Sequence, residues 1–357
     1  MGDFSERMMD ILNYGALNLA MGIGYKNQLF DILEDFDKPV TILEIVSASG
    51  LNRRYLKEWL GIMVTGNIIE ISDGQDGEAQ YFLPPEHACF LTRKSGSNNL
   101  GVYTQEIPLL TSCAMESVNR GFKTGDGIPF SQYPDFQHFM AELSNAKHKE
   151  VLIEHFLPSV ANGTLLPCLL SGIRVCDFGC GQGIALNLMA QAFPKSKFTG
   201  IDNHREAILT ALAGADKMEL SNTEYLELDA ATINGKKEFM QRFDYVCAFD
   251  AIHDQSHPLE ALKGIRNMLS PGGMFSMIDI KASSDPADNL DHPMGAFLYT
   301  VSLMHCMPIG LNDNGTGLGM MWGREQAKAM LLEAGFDHVE VIEMEHDGFN
   351  LHYLSRV

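Results

Sequence analysis

Apolar and polar positions follow two different rhythms along the chain. Up to about residue 100 the spacing is helical. Leu29, Phe30, Ile32 and Leu33 share one helix, a turn follows at Lys38-Pro39-Val40, and a further helix runs over Ile42–Ala48. Ser49-Gly50-Leu51 reads as a tight turn, and the helix Arg53–Val64 ends near Gly66. The period then shortens to that of strands in Asn67–Ile71 and Gln80–Leu83, which flank the turn-rich Asp73-Gly74-Gln75-Asp76-Gly77. From about residue 172 onward, short apolar runs alternate with helical stretches. Ile173–Phe178, Lys197–Ile201, Thr223–Leu228, Tyr245–Phe249, Met274–Ile280, Val339–Met344 and Leu351–Leu354 are predicted strands. This alternation predicts an α/β fold with a doubly wound, mostly parallel sheet whose last two strands form a hairpin.

Helix, turn, helix and hairpin make a winged helix, which gives residues 1–100 a domain of their own. Residues 101–170 read as connecting helices and a pocket lid, and residues 171–357 as the sheet domain. Within the connector, the glycine-dense stretch Gly121–Phe130 suits either a functional loop or a plain interhelical connection.

At 357 residues, 45% hydrophobic and 20% charged, the chain has material for more than one packed core. Lys+Arg number 26 against 46 Asp+Glu, a net charge of -20 that repels nucleic acid and anionic membranes. Residues 1–150 alone hold 12 Lys+Arg and 20 Asp+Glu, or -8. Arg53, Arg54 and Lys57 on the second winged-helix helix therefore read as a solvated face, and packing or dimerisation is the expected role of this domain. No apolar run is long enough to span a membrane. The acidic start Met1–Glu6 lacks the features of a signal peptide, and Glu6 stands where a myristoylation motif at Gly2 wants a small hydroxyl residue. The seven cysteines form no CxxC pair, so neither a metal site nor a disulfide framework is expected, and a reducing cytoplasm suits them.

The chemistry concentrates in Val175-Cys176-Asp177-Phe178-Gly179-Cys180-Gly181-Gln182-Gly183-Ile184, an apolar strand, a glycine turn and a helix start. Ligands of open α/β sheets bind beyond the carboxyl ends of the strands, where strand order reverses. A dinucleotide fingerprint needs GxGxxG, whereas this run is GxGxG preceded by an acid. That pattern suits S-adenosylmethionine, which has a cationic amino-acid end and no phosphates. Asp202 ends the second strand, where a carboxylate can accept from both ribose hydroxyls, and Asp229 ends the third, placed to meet the adenine amino group. Each acid alone is explained by helix capping; three after three consecutive strands are not. Asn203, Ala230 and Phe249, at the same strand ends, complete the expected cofactor set with Asp177, Gly179, Gly181 and Gly183.

Asp177–Gly183, Asp202, Asp229 and Ser270-Pro271-Gly272-Gly273 together resemble class I S-adenosylmethionine-dependent methyltransferases over residues 172–355. A preceding winged helix resembles the caffeate and hydroxyindole O-methyltransferases. The resemblance implies a Rossmann-like seven-stranded methyltransferase sheet with an antiparallel final strand, a homodimer formed through the N-terminal domain, and a small-molecule acceptor. It also implies a general base at His253 of Asp250-Ala251-Ile252-His253-Asp254. Gln255 departs from the family's Trp, which points to a branch of unassigned substrate.

A histidine with ordinary pKa about 6.5 suits proton removal from a hydroxyl near neutral pH. His257, before Pro258, reads as a helix start, and His305 as a core histidine or a substrate contact. Tyr133 and Trp322 are candidate pocket walls, and Gly315–Gly323 a substrate-side insertion. The expectation is thus methyl transfer to oxygen or nitrogen of a small molecule, without a metal. The alternatives are a DNA-binding regulator responsive to S-adenosylmethionine and a methyltransferase fold that binds without turnover.

Overall fold

The structure, a computed structural model, describes residues 3–74, 77–134 and 136–357. Gly2 and the Gln75-Asp76 centre of the expected wing turn lie outside the described residues. The chain divides after Ser112 into two units.

In the first unit, α1 (Phe4–Lys26) and α2 (Leu29–Phe36) precede the two-residue strand β1 (Val40–Thr41), then α3 (Ile42–Ser49) and α4 (Arg53–Thr65). Strands β2 (Glu70–Asp73) and β3 (Ala79–Phe82) form the wing. Local chemistry sets these boundaries. Thr41 and Glu44 make a reciprocal capping box that starts α3, and Asn52 caps α4 by accepting from the Arg54 N–H at 2.9 Å. Two expectations shift. Val40 belongs to β1, which pairs with β3 and makes the wing three-stranded, in the order β1-β3-β2. Asn67, at φ +56°, is a turn residue, so β2 starts at Glu70. Trp59 is the centre of this core; its Nε1–H donates to Ala20 O at 2.9 Å, and its ring lies edge-on to Phe30.

The second unit is built on seven strands: β4 (Arg174–Phe178), β5 (Lys197–Asp202), β6 (Thr223–Glu227), β7 (Phe243–Phe249), β8 (Leu269–Ile280), β9 (His338–Met344) and β10 (Asp347–Arg356). Their order is β6-β5-β4-β7-β8-β10-β9. The pairs from β6 to β8 are parallel, and β10 runs antiparallel to both β8 and β9, as the strand pattern predicts. Strand order reverses between β4 and β7. Ser270–Gly273, expected ahead of the fifth strand, lies within β8, where the register against β7 is irregular. One apolar core, with Val246, Phe275 and Tyr353, and another, with Val175, Leu186 and Tyr245, are both drawn from the sheet.

Candidate active site

Beyond β4 the chain turns through Gly179–Gly183 into the helix Ile184–Ala192. A Cβ on Gly183, at φ +72°, would sit 2.6 Å from the Ala211 Cβ and the Tyr225 Oη. A Cβ on Gly179 would lie 2.5 Å from the Ala251 Cβ. Between them Gly181, at φ +50°, faces open space, with nothing within 4 Å of a Cβ position. The outer two glycines close-pack the turn and the middle one leaves its face clear for a ligand.

Asp202, at the end of β5, reaches back to this loop. Its Oδ2 accepts from the Gly181 N–H at 2.9 Å, and its Oδ1 from the His204 N–H at 2.8 Å. Two fixed bonds set the carboxylate's orientation and leave lone pairs for a further donor. Burial raises its pKa against those bonds. Asp177 lies buried under the turn, 3.9 Å from the Cys247 Sγ. Burial first, and then the charge of Asp202, push its carboxyl up to about 7. Asp229 is exposed and accepts from the Ala231 N–H at 2.9 Å, capping the short turn Ala230–Thr232. Asn203 is exposed beside Asp202, Ala230 is buried, and Phe249 meets the rings of His148 and Phe156 edge-on.

Across the switch point, β7 delivers His253, which is 3% exposed. Its Nδ1 lies 2.8 Å from Oδ1 of Asp279, a fully buried residue of β8. That oxygen also accepts the Ile280 N–H at 2.8 Å, while Asp279 Oδ2 has no hydrogen-bond partner. His253 Nε2 lies 3.5 Å from Asp254 Oδ1. Burial opposes charge on the imidazole, but Asp279 and Asp254 together outweigh it and hold the pKa well above the ordinary histidine value. Gln255 folds back on its own turn, its amide donating to Ala251 O at 3.0 Å. His257 takes the N-cap position of the helix Pro258–Met268.

Tyr133 and His305 come together. Tyr133 donates its hydroxyl to Met304 O at 2.8 Å, and its ring meets His305 edge-on at 4.8 Å. Phe136 stacks on the other side of the imidazole at 3.7 Å, and burial pushes the His305 pKa down to about 4. Trp322 is 3% exposed in the apolar core with Ile252, Met277 and Tyr353. Of the expected loop Gly121–Phe130, Gly121–Thr124 instead closes the helix Glu106–Thr124, and the remainder is tied down through the Ile128 N–H on Pro308 O at 2.9 Å. It sets Phe130 edge-on to both His204 and His305, at 5.3 and 6.2 Å. The loop before the last helix is pinned as well, the Thr316 N–H donating to Ser256 O at 2.9 Å.

Residues 15–93 match the Rv2258c-like winged HTH domain, and residues 169–302 match a methyltransferase domain. The chain carries a methyltransferase domain. The chain is similar to the tRNA (guanine-N(7)-)-methyltransferase of Pseudomonas putida, 30% identical over 115 residues, which are 30% of this chain and 48% of that protein. It is also similar to the ubiquinone biosynthesis O-methyltransferase of Pseudomonas fluorescens, 31% identical over 113 residues, 31% of this chain and 46% of the other. The chain thus spans about half the length of the curated relatives it matches. Over its whole length the fold is similar to human N-acetylserotonin methyltransferase, solved in complex with S-adenosylmethionine, at a TM-score of 0.69 and 16% identity, covering 100% of this chain and 99% of that one.

Sequence reasoning missed Asp279 and Cys306. Asp279 left one signal, an acid inside the apolar run Met277-Ile278-Asp279-Ile280. Cys306 and His305 share a π-helical turn, Ser302–Cys306, and a second π-helical stretch covers His148–Phe156. Such stretches concentrate at functional sites, but no residue pattern announces them.

Proposed function

We propose that the protein transfers a methyl group from S-adenosylmethionine to oxygen or nitrogen of a small molecule, with His253 as general base. The observation that carries this reading is the pairing, on adjacent sides of one topological switch point, of an open Gly181 face held by Asp202 with the His253–Asp279 couple. The residues fit the cofactor: Gly181 clears a surface that a side chain would obstruct, and Asp202 offers oriented acceptors to ribose hydroxyls. When bound, S-adenosylmethionine supplies an electrophilic methyl group. The chain's own work is to align the acceptor, exclude water and take its proton. Asp279 holds the imidazole through Nδ1, and Asp254 favours a proton on Nε2, so Nε2 accepts the acceptor's proton only after giving up its own. Phe130, Phe136 and Tyr133 pack their rings around His305 and shield it from solvent.

The same reading takes Asp177, Asn203, Asp229, Ala230 and Phe249 as cofactor contacts and His305 as a substrate contact. It also takes the winged helix as a dimerisation domain. On α1, Met8, Leu12, Leu19 and Ile23 are exposed at helical spacing, and Gly15 has open space where a Cβ would be. An apolar stripe with a glycine in it suits a second copy of the same helix. On α4, Arg54 pairs with Glu58, which weakens the case for a DNA-reading face. Seven free thiols suit the cytoplasm. Among the described residues, no helix is long and apolar enough to cross a membrane.

The test is label transfer from methyl-labelled S-adenosylmethionine into the small-molecule fraction of a cell extract, with His253→Ala in parallel and S-adenosylhomocysteine binding measured for both. Labelled product from the wild type alone, with equal product binding, supports enzyme and base. Failure of S-adenosylhomocysteine to bind the wild type ends the proposal.

A further inference from the structure

Around the Nε2 side of His253 the chain gathers a donor set that methyl transfer does not need. One ligand-type atom each of His253, Asp254 and Cys306 lies within 4.8 Å of the other two. His253 and Cys306 are buried at 3% exposure each. The Oδ1 atom of Asp254 is buried and makes no hydrogen bond beyond its 3.5 Å ion-pair contact with His253 Nε2. His253 Nδ1 is anchored by buried Asp279 at 2.8 Å, the carboxylate–histidine arrangement that fixes a ligating imidazole and raises its basicity. His305 Nδ1, 3.5 Å from the Cys306 Sγ, can donate to that sulfur once it is a thiolate.

We propose that His253 Nε2, Asp254 and Cys306 Sγ form a binding site for a zinc-class divalent ion, with the fourth position left to water. Imidazole, carboxylate and thiolate are the ligand types of zinc, and one neutral with two anionic ligands balances a double positive charge. Bond lengths of about 2.0–2.3 Å set the ligand atoms of a tetrahedral site roughly 3.3–3.8 Å apart, so closure asks for a shift of about 1 Å. Asp254, whose side chain is 28% exposed, has the freedom to make it. Binding replaces the Cys306 S–H bond by a metal–sulfur bond and the His253 Nε2–H bond by a metal–nitrogen bond and releases both protons to solvent; no oxidation or reduction is involved. An ion on Nε2 also occupies the lone pair that would accept the proton of a methyl acceptor. Metal binding and methyl transfer therefore exclude one another, a consequence that rests on the base reading above.

Cobalt(II) added to the full-length chain tests the site directly. The expected result is a thiolate-to-cobalt charge-transfer band in the near ultraviolet, with visible bands of four-coordinate intensity that zinc bleaches. Both should be lost in Cys306→Ala and His253→Gln and kept in Cys89→Ala. Equal S-adenosylhomocysteine binding by all variants shows that they are folded. Absence of the band in the wild type, or its persistence in Cys306→Ala, overturns the site. If the band is present but zinc leaves the labelling rate unchanged, the site stands and the base assignment of His253 falls.

Discussion

His253 Nδ1 lies 2.8 Å from Asp279 Oδ1, although 26 residues separate them. Parallel pairing of β7 with β8, Phe249 opposite Ile278, creates this contact. Asp279 touches neither cofactor nor acceptor in the proposed reaction; it is a positioning residue. Asp279→Asn removes the charge and permits the wrong tautomer. Methyl transfer should fall on the order of 10²-fold or more through kcat, with S-adenosylhomocysteine affinity unchanged. Equal loss of affinity and rate would mean that Asp279 is merely structural.

Asp202 should behave differently. Asp202→Ala removes the acceptor assigned to the ribose and frees the Gly181 N–H. Calorimetry should show S-adenosylhomocysteine binding weaker by about 1.5–3 kcal/mol, roughly 10- to 100-fold. An unchanged affinity would remove this carboxylate from the cofactor site.

The glycine turn separates packing from ligand access. Gly183→Ala combines positive φ with a 2.6 Å approach to Ala211 and Tyr225 and should cost about 3 kcal/mol of stability in urea unfolding. Gly181→Ala meets only the positive φ and should cost about 1 kcal/mol, while obstructing the ligand face. The ranking reverses for cofactor affinity per unit of stability lost.

Glu106, 4% exposed, has its carboxyl pushed up to about 8 by burial. The native chain therefore holds this proton where the unfolded chain, near its ordinary value of about 4.3, has released it. Unfolding then releases a proton, so this group's contribution to stability falls as pH rises from about 5 to 8. Glu106→Gln should be more stable than wild type at pH 8, with the gap closing toward pH 5, as measured by thermal unfolding across that range.

The stripe on α1 predicts association. Sedimentation should give twice the chain mass, and Leu12→Glu, at a residue 67% exposed in the single chain, should shift it to one chain mass without loss of helix content. A wild type that sediments as a single chain refutes dimerisation through this face.

The residue order by itself determined the winged helix, the doubly wound sheet with its antiparallel last strand, and the strand-end turn of Asp177–Gly183. Each of these depends on chemistry local in sequence: apolar periods, a capping box, glycines at positive φ. One sequence expectation shifted through a long-range partner, when β3 drew Val40 into the wing, and another through the local left-handed turn at Asn67. Tertiary structure alone decided which groups surround His253. Asp279 reaches it through strand pairing, Cys306 through a π-helical turn, and Phe136 stacks on His305 from a helix far earlier in the chain. Tertiary structure also withdrew Trp322 into the core, because a large apolar ring gains more from burial there than a sequence position can reveal. Contacts of this kind arise where separate elements meet, and their energy depends on burial and distance, neither of which a one-dimensional pattern encodes.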